Sequence, residues 1–310
     1  MSDSPFLCAP ASAGRAEPLF GTASTVGRWL LVEQAGPWSP ASFPESPLPA
    51  HVRESLQTQA RRLGARPLLI RRHRTATTDS TRRTVFFVDS RPGRETVLRR
   101  VVRSDDELVP LALDRGWHRV HDPLYLVCSH GRHDTCCAMR GRPLAAALDA
   151  LVPELTWECS HIGGDRFASN SLVLPAGLYY GRLTADDATE LVARTRAGRV
   201  LPASLRGRSS LSQPAQAAQH FAQTRLGRDG VDDLLPRHEE QTGPDTWLVV
   251  LAGGPAGDAG PDAASAAGDV AVTVHRRRDG EAEQLTCHAV ARNVAPAWDL
   301  VDLEVLTPVG

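Results

Sequence analysis

Lysine is missing from this chain: every one of the 35 basic residues among its 310 is arginine. That excludes a lysine Schiff base and the lysine of a phosphate-binding P-loop. No uninterrupted apolar run reaches the roughly 18 residues of a membrane-spanning helix, and Met1–Arg15 has no basic segment followed by an apolar core. The G-x-S-x-G, G-x-x-x-x-G-K and G-x-G-x-x-G motifs are absent, and so is the C-x-x-C pair of redox-active thioredoxins. Charge of one sign is also lacking. With a net charge of -1 at pH 7, nothing draws the chain to nucleic acid or membrane in general. The expectation is a cytoplasmic globular protein with neither of those partners. Aromatics are only 5% of the residues, but 42% are apolar, enough to build real cores.

Against these absences stands one crowded stretch. Four of the six cysteines and three of the eleven histidines fall between Cys128 and Asn170. In a reducing compartment, such crowding is better explained by metal or redox chemistry than by disulfides. The apolar run Leu124–Val127 reads as a buried strand ending at Cys128, and a second strand spans Leu155–Cys159. Two loops leaving these strand ends can meet at one site. Thiolates and imidazoles there suit zinc or an iron-sulfur centre. Eight residues separate Cys128 from Cys137, too many for the usual zinc knuckle.

Taken in order, residues 1–20 read as a loose tail and 21–115 as a small α/β domain. That domain has strands near 29–33, 67–70, 84–88 and 96–102 and a helix over 51–63 stopped by Gly64. Residues 116–200 follow as a thioredoxin-like layout, with a helix over 143–151, a hairpin around Pro175–Gly177 and a helix capped by Thr184. An α+β segment over 201–310 completes the chain, with a helix from the Ser212 cap to Gly227 and strands near 247–252, 270–276 and 284–291. Residues 253–269, rich in Gly, Ala, Pro and Asp, read as a mobile loop. The fold class expected is α/β: a thioredoxin-like domain preceded by a smaller related α/β domain.

The residues C-S-H-G-R-H-D-T-C-C at 128–137, S-H-I-G-G-D-R-F-A-S-N at 160–170 and L-Y-Y-G-R at 178–182 closely resemble the sucrase/ferredoxin-like family. The resemblance implies a thioredoxin-like ferredoxin with a [2Fe-2S] cluster, and a redox partner protein, reductase or acceptor, to exchange electrons with. It places cysteine ligands on Cys128 and Cys137 and a histidine ligand on His161. Where the eukaryotic branch of the family has the second histidine of H-x-G-G-H, this chain has Asp165. Cys159, two residues before His161, is the softer alternative for the fourth ligand. His130 and His133 are expected in supporting roles, as are the turn glycines Gly163 and Gly164. Arg166, with Arg132, Arg140 and Arg142, is expected to offset cluster charge or to form a docking rim.

Two other readings stay open. One is thiol-based redox catalysis by Cys128, Cys136, Cys137 or Cys159. The other is a zinc-stapled scaffold. The adjacent acid pairs sit at turns and helix starts, which weighs against glycoside hydrolysis. Cys8 and Cys287 read as isolated and incidental.

Overall fold

The computed structural model describes residues 5–73, 82–109, 111–113, 115–253 and 268–306. Its centre is a ten-stranded sheet in the order β10-β9-β8-β6-β7-β2-β1-β3-β4-β5. In sequence these are β1 (Arg28–Glu33), β2 (Arg66–Arg71), β3 (Arg83–Asp89), β4 (Thr96–Val102), β5 (His118–Val120), β6 (Leu124–Cys128), β7 (Thr156–Cys159), β8 (Ser171–Leu174), β9 (Leu178–Tyr180) and β10 (Leu205–Arg208). The pair β1/β2 is parallel with helix α2 (Ala50–Leu63) as its crossover, and β6/β7 is parallel with α3 (Thr135–Leu151). The orders 2-1-3-4 and 7-6-8-9 repeat one arrangement. The two halves meet where β2 and β7 pair antiparallel through Ile70 with Cys159 and Arg71 with Glu158.

Local sequence explains the helices. In α2, Val52, Leu56 and Ala60 recur on one face and are buried, and Gly64 ends the helix at φ +60. They pack on Leu30, Val32, Leu69 and Val85 of the sheet. Tyr125 and Val127 of β6 pack likewise on Leu144 and Leu148 of α3 and Leu191 of α4 (Ala188–Arg196). The alternate residues of the same strands, Trp29, Leu31, Leu126, Cys128, Trp157 and Cys159, form a second core on the opposite face.

Several elements differ from the sequence expectation. The first twenty residues hold helix α1 (Cys8–Gly14), whose Cys8, Ala9 and Ser12 are buried. Small residues there permit close packing where composition alone suggested a tail. Helix α3 begins at Thr135, eight residues before Pro143, because the Asp134 side chain accepts a hydrogen bond from Cys136 N at 2.9 Å. The cap outweighs the proline, so Cys136 and Cys137 lie in a helical first turn and not on a loop. Thr184 donates to Asp187 at 2.8 Å, and α4 starts only at Ala188.

Helix α5 (Gln213–Leu226) has its Ser212 cap and Gly227 stop as expected. It packs on a four-stranded antiparallel sheet of β11 (Pro236–Gly243), β12 (Thr246–Leu251), β13 (Val270–Arg277) and β16 (Ala297–Val305). The strand expected over 284–291 is instead a turn between two short strands, β14 (Ala282–Glu283) and β15 (Asn293–Val294), and β16 supplies the missing edge. Most of the loop expected over 253–269 lies outside the described residues.

Candidate metal centre

The centre forms where β6 and β7 end and α3 begins. Cys128 is the last residue of β6, and its amide donates to Asn170 O at 3.0 Å. Cys137, in the first turn of α3, brings its thiol against the Cys128 sulfur and donates to Asp165 Oδ1 at 3.3 Å. Asp165 opens a short 3-10 turn behind Gly163 and Gly164, and its side chain is only 4% exposed. His161 Nδ1 lies 3.0 Å from Asp165 Oδ1, yet is buried without an aligned hydrogen-bond partner. His133 Nε2 approaches Asp165 Oδ2 at 3.6 Å, and the two imidazole rings lie 3.8 Å apart.

The electrostatics follow from this packing. The hydrogen bond from Cys137 favours the Cys128 thiolate and outweighs burial, which acts against it, so Cys128 is held below the usual thiol range. Cys137 is pushed up by that same bond, by burial and by Asp165. Burial disfavours charge on both Asp165 and His161, but their mutual attraction wins: the carboxyl is held low and the imidazole is raised.

Cys159 pairs with Cys128 across the parallel ladder and is fully buried on the same face. Burial first and then Cys128 push its thiol up. At this centre His133, His161 and Asp165 bring donor atoms within 4.8 Å of one another, with Cys137 bonded to Asp165. Cys159 is outside that group.

His130 serves the surrounding loops. It bonds Ser39 O at 2.9 Å and meets Trp38 edge-on. His133 Nδ1 likewise contacts Pro40 O at 3.2 Å. Gly163 and Gly164 take φ +100 and +82, as their turn requires, and a Cβ on Gly164 would fall 2.4 Å from the Arg206 guanidinium. Arg166 does not face the centre. It pairs with Glu17 at 2.5 Å and lies over the Phe167 ring, because the N-terminal segment folds back on it.

Arg206 is the residue sequence reasoning missed. It is buried and bonds Gly163 O, Asn170 Oδ1 and Thr22 through neutral acceptors only. Burial lowers it to about 10, and Asp165 and Cys137 are among the groups that draw it back up. A buried cation among neutral acceptors calls for a nearby anion. Its signal in the sequence was weak, since one arginine among many carries no local pattern.

A cleft of about 330 Å³ reaches the centre from outside, lined by Phe43, Pro44, Arg66, Leu68, His133 and His161. Paired sulfurs, imidazole and carboxylate gathered at strand ends make the donor set of a borderline-metal site. The Nδ1 of His161, which has no aligned hydrogen bond, and Arg206, whose direct acceptors are all neutral, both fit a bound anionic centre.

The chain belongs to the sucrase/ferredoxin-like family, which it matches over residues 19–207. It is 28% identical over 86 residues to altered inheritance of mitochondria protein 32 of Meyerozyma guilliermondii, covering 24% of this chain. The chain spans only 30% of the length of that relative. Among solved structures it is similar to the Cys59Ser and Cys55Ser variants of the thioredoxin-like [2Fe-2S] ferredoxin from Aquifex aeolicus. Each match is at 18% identity with a TM-score of 0.24, over 27% of this chain and 97% of that one. No described helix is long and apolar enough to cross a membrane.

Proposed function

We propose that this protein is a one-electron carrier or redox sensor, and that the unit over 116–200 is a thioredoxin-like domain holding a [2Fe-2S] cluster. The observation that carries the reading is the convergence of Cys128 and Cys137 from β6 and α3 upon His161 and Asp165. These four would be the ligands, and His133 is the further donor the geometry brings within reach of Asp165.

When bound, the cluster supplies reversible storage of one electron. The chain's own contribution is charge and access. Arg206 offsets thiolate and carboxylate charge from the protein side. His133 and His161 form the cleft-facing wall, so a proton can reach an imidazole when the centre is reduced. The same cleft is where an electron-transfer partner, a reductase or an acceptor, would approach. A reducing compartment such as the cytoplasm would keep the ligand thiols available. Thiol catalysis is the weaker reading, since Cys128 and Cys137 are each only 1% exposed and offer a substrate no approach.

The test is anaerobic purification with iron and sulfide quantified and visible and EPR spectra recorded. The expected result is about two irons per chain and a reducible signal. Cys128→Ser and Cys137→Ser should abolish it, and comparison of Asp165→Ala, His133→Ala and Cys159→Ser should name the fourth ligand. A chain that stays colourless after anaerobic reconstitution with iron and sulfide refutes the cluster.

A further inference from the structure

We infer that Cys8, Cys136, Cys287 and Asp134 form a second metal site, a tetrahedral zinc site separate from the centre at Cys128 and Cys137. It does not rest on the cluster reading. The three thiols come from α1, the first turn of α3 and the turn between β14 and β15, so they are remote in sequence. The Cys287 sulfur lies 3.5 Å from Cys8 Sγ and 3.5 Å from Cys136 Sγ. Both Asp134 oxygens lie 3.6 Å from Cys8 Sγ. One donor atom from each of the four residues falls within 4.8 Å of all the others.

The two S–S separations and the S–O separation match edges of a small tetrahedron, and the remaining ones are no longer than 4.8 Å. Zinc–sulfur bonds of about 2.3 Å and zinc–oxygen bonds of about 2.1 Å set S–S edges of about 3.8 Å and S–O edges of about 3.6 Å. A disulfide would instead need sulfurs about 2.05 Å apart and would use only two of the three thiols. Three thiolates and a carboxylate form a closed, soft-to-borderline set, which suits zinc over magnesium or calcium.

The surroundings support a structural ion. Cys8, Asp134 and Cys136 are at most 1% exposed. Asp134 is oriented from outside the tetrahedron by Cys136 N at 2.9 Å and Cys287 N at 2.7 Å, the arrangement that holds a ligating carboxylate in place. On binding, zinc displaces the thiol protons to solvent.

The consequence is a staple. The ion ties the N-terminal helix and the C-terminal segment to the residue beside Cys137, so the second site braces the first turn that presents Cys137. The two cysteines in sequence, Cys136 and Cys137, thus serve different centres.

The test uses the full chain and zinc alone. To keep the two sites apart, metal content is measured by mass spectrometry in the Cys128→Ser/Cys137→Ser background. One tightly held zinc ion per chain is expected there, and Cys8→Ser or Cys287→Ser added to that background should remove it. Since either serine variant could fail to fold, the unsubstituted chain is also alkylated with and without a zinc chelator. Cys8, Cys136 and Cys287 should become reactive together on chelation. Absence of zinc uptake in the double variant overturns the proposal. So does uptake unaffected by both serine changes, or a Cys8–Cys287 disulfide in anaerobically prepared protein.

Discussion

Replacing Gly141 with alanine places one methyl group where α3 crosses the end of β6. The added Cβ would lie 2.1 Å from the Cys128 carbonyl oxygen and 3.1 Å from its carbon, both backbone atoms with little freedom to yield. Ordinary contact is about 3.5 Å, so helix and strand must separate by something over about 1 Å. Alanine would otherwise gain up to about 1 kcal/mol in a helix interior, whereas overpacking costs about 1–3 kcal/mol. A clash with backbone belongs at the upper end, and the net loss is about 1–2 kcal/mol. Separation of α3 from β6 also draws Cys137 away from Cys128, so metal capture should fall more than stability does. The assay pairs urea unfolding with reconstitution by iron and sulfide, using Gly14→Ala as control because nothing lies within 4 Å of that position. A Gly141→Ala chain as stable as the parent, with undiminished uptake, would falsify the claim that this close approach sets the Cys128–Cys137 geometry.

Other outcomes follow from the same structure. Asp165→His restores a second imidazole in place of a carboxylate and should raise the reduction potential while making it pH-dependent, as read by redox titration at several pH values; an unchanged or lowered potential counts against Asp165 as ligand. Arg206→Met leaves Gly163 O and Asn170 Oδ1 without their buried donor and should destabilise the chain by about 1–3 kcal/mol in denaturant unfolding; a change below about 0.5 kcal/mol would mean the guanidinium is dispensable. His220, stacked 4.0 Å from Phe20, is lowered by burial from 6.5 to about 4. The unfolded chain therefore takes up the proton first, and stability present above pH 6.5 is lost as pH falls toward about 4, by at most about 3 kcal/mol. Unfolding midpoints measured across that window should flatten in His220→Asn, and a parent whose midpoint does not move with pH refutes the burial argument.

The sequence alone determined what depends on near neighbours. Strand β6 follows from an apolar run, α2 from the spacing of Val52, Leu56 and Ala60, and α5 from Ser212 and Gly227, because propensity and capping act within a few residues. The Cys128–Asn170 stretch was legible as a candidate site because soft ligands crowd together in the chain itself. The start of α3 was also written locally, in the Asp134 cap, although Pro143 offered a competing signal.

Tertiary structure decided what depends on convergence. The joining of two half-sheets through β2 and β7 leaves no mark in either strand. Arg206 reaches Gly163 and Asn170 from a strand beyond both motifs, and α1 is held by contacts with residues far along the chain. Cys8 and Cys287 read as incidental in the sequence because no spacing links residues so far apart. Their sulfurs meet only when the N-terminal helix and the C-terminal turn close on Asp134, since long-range contact is set by the packing of the whole fold and not by the residues on either side.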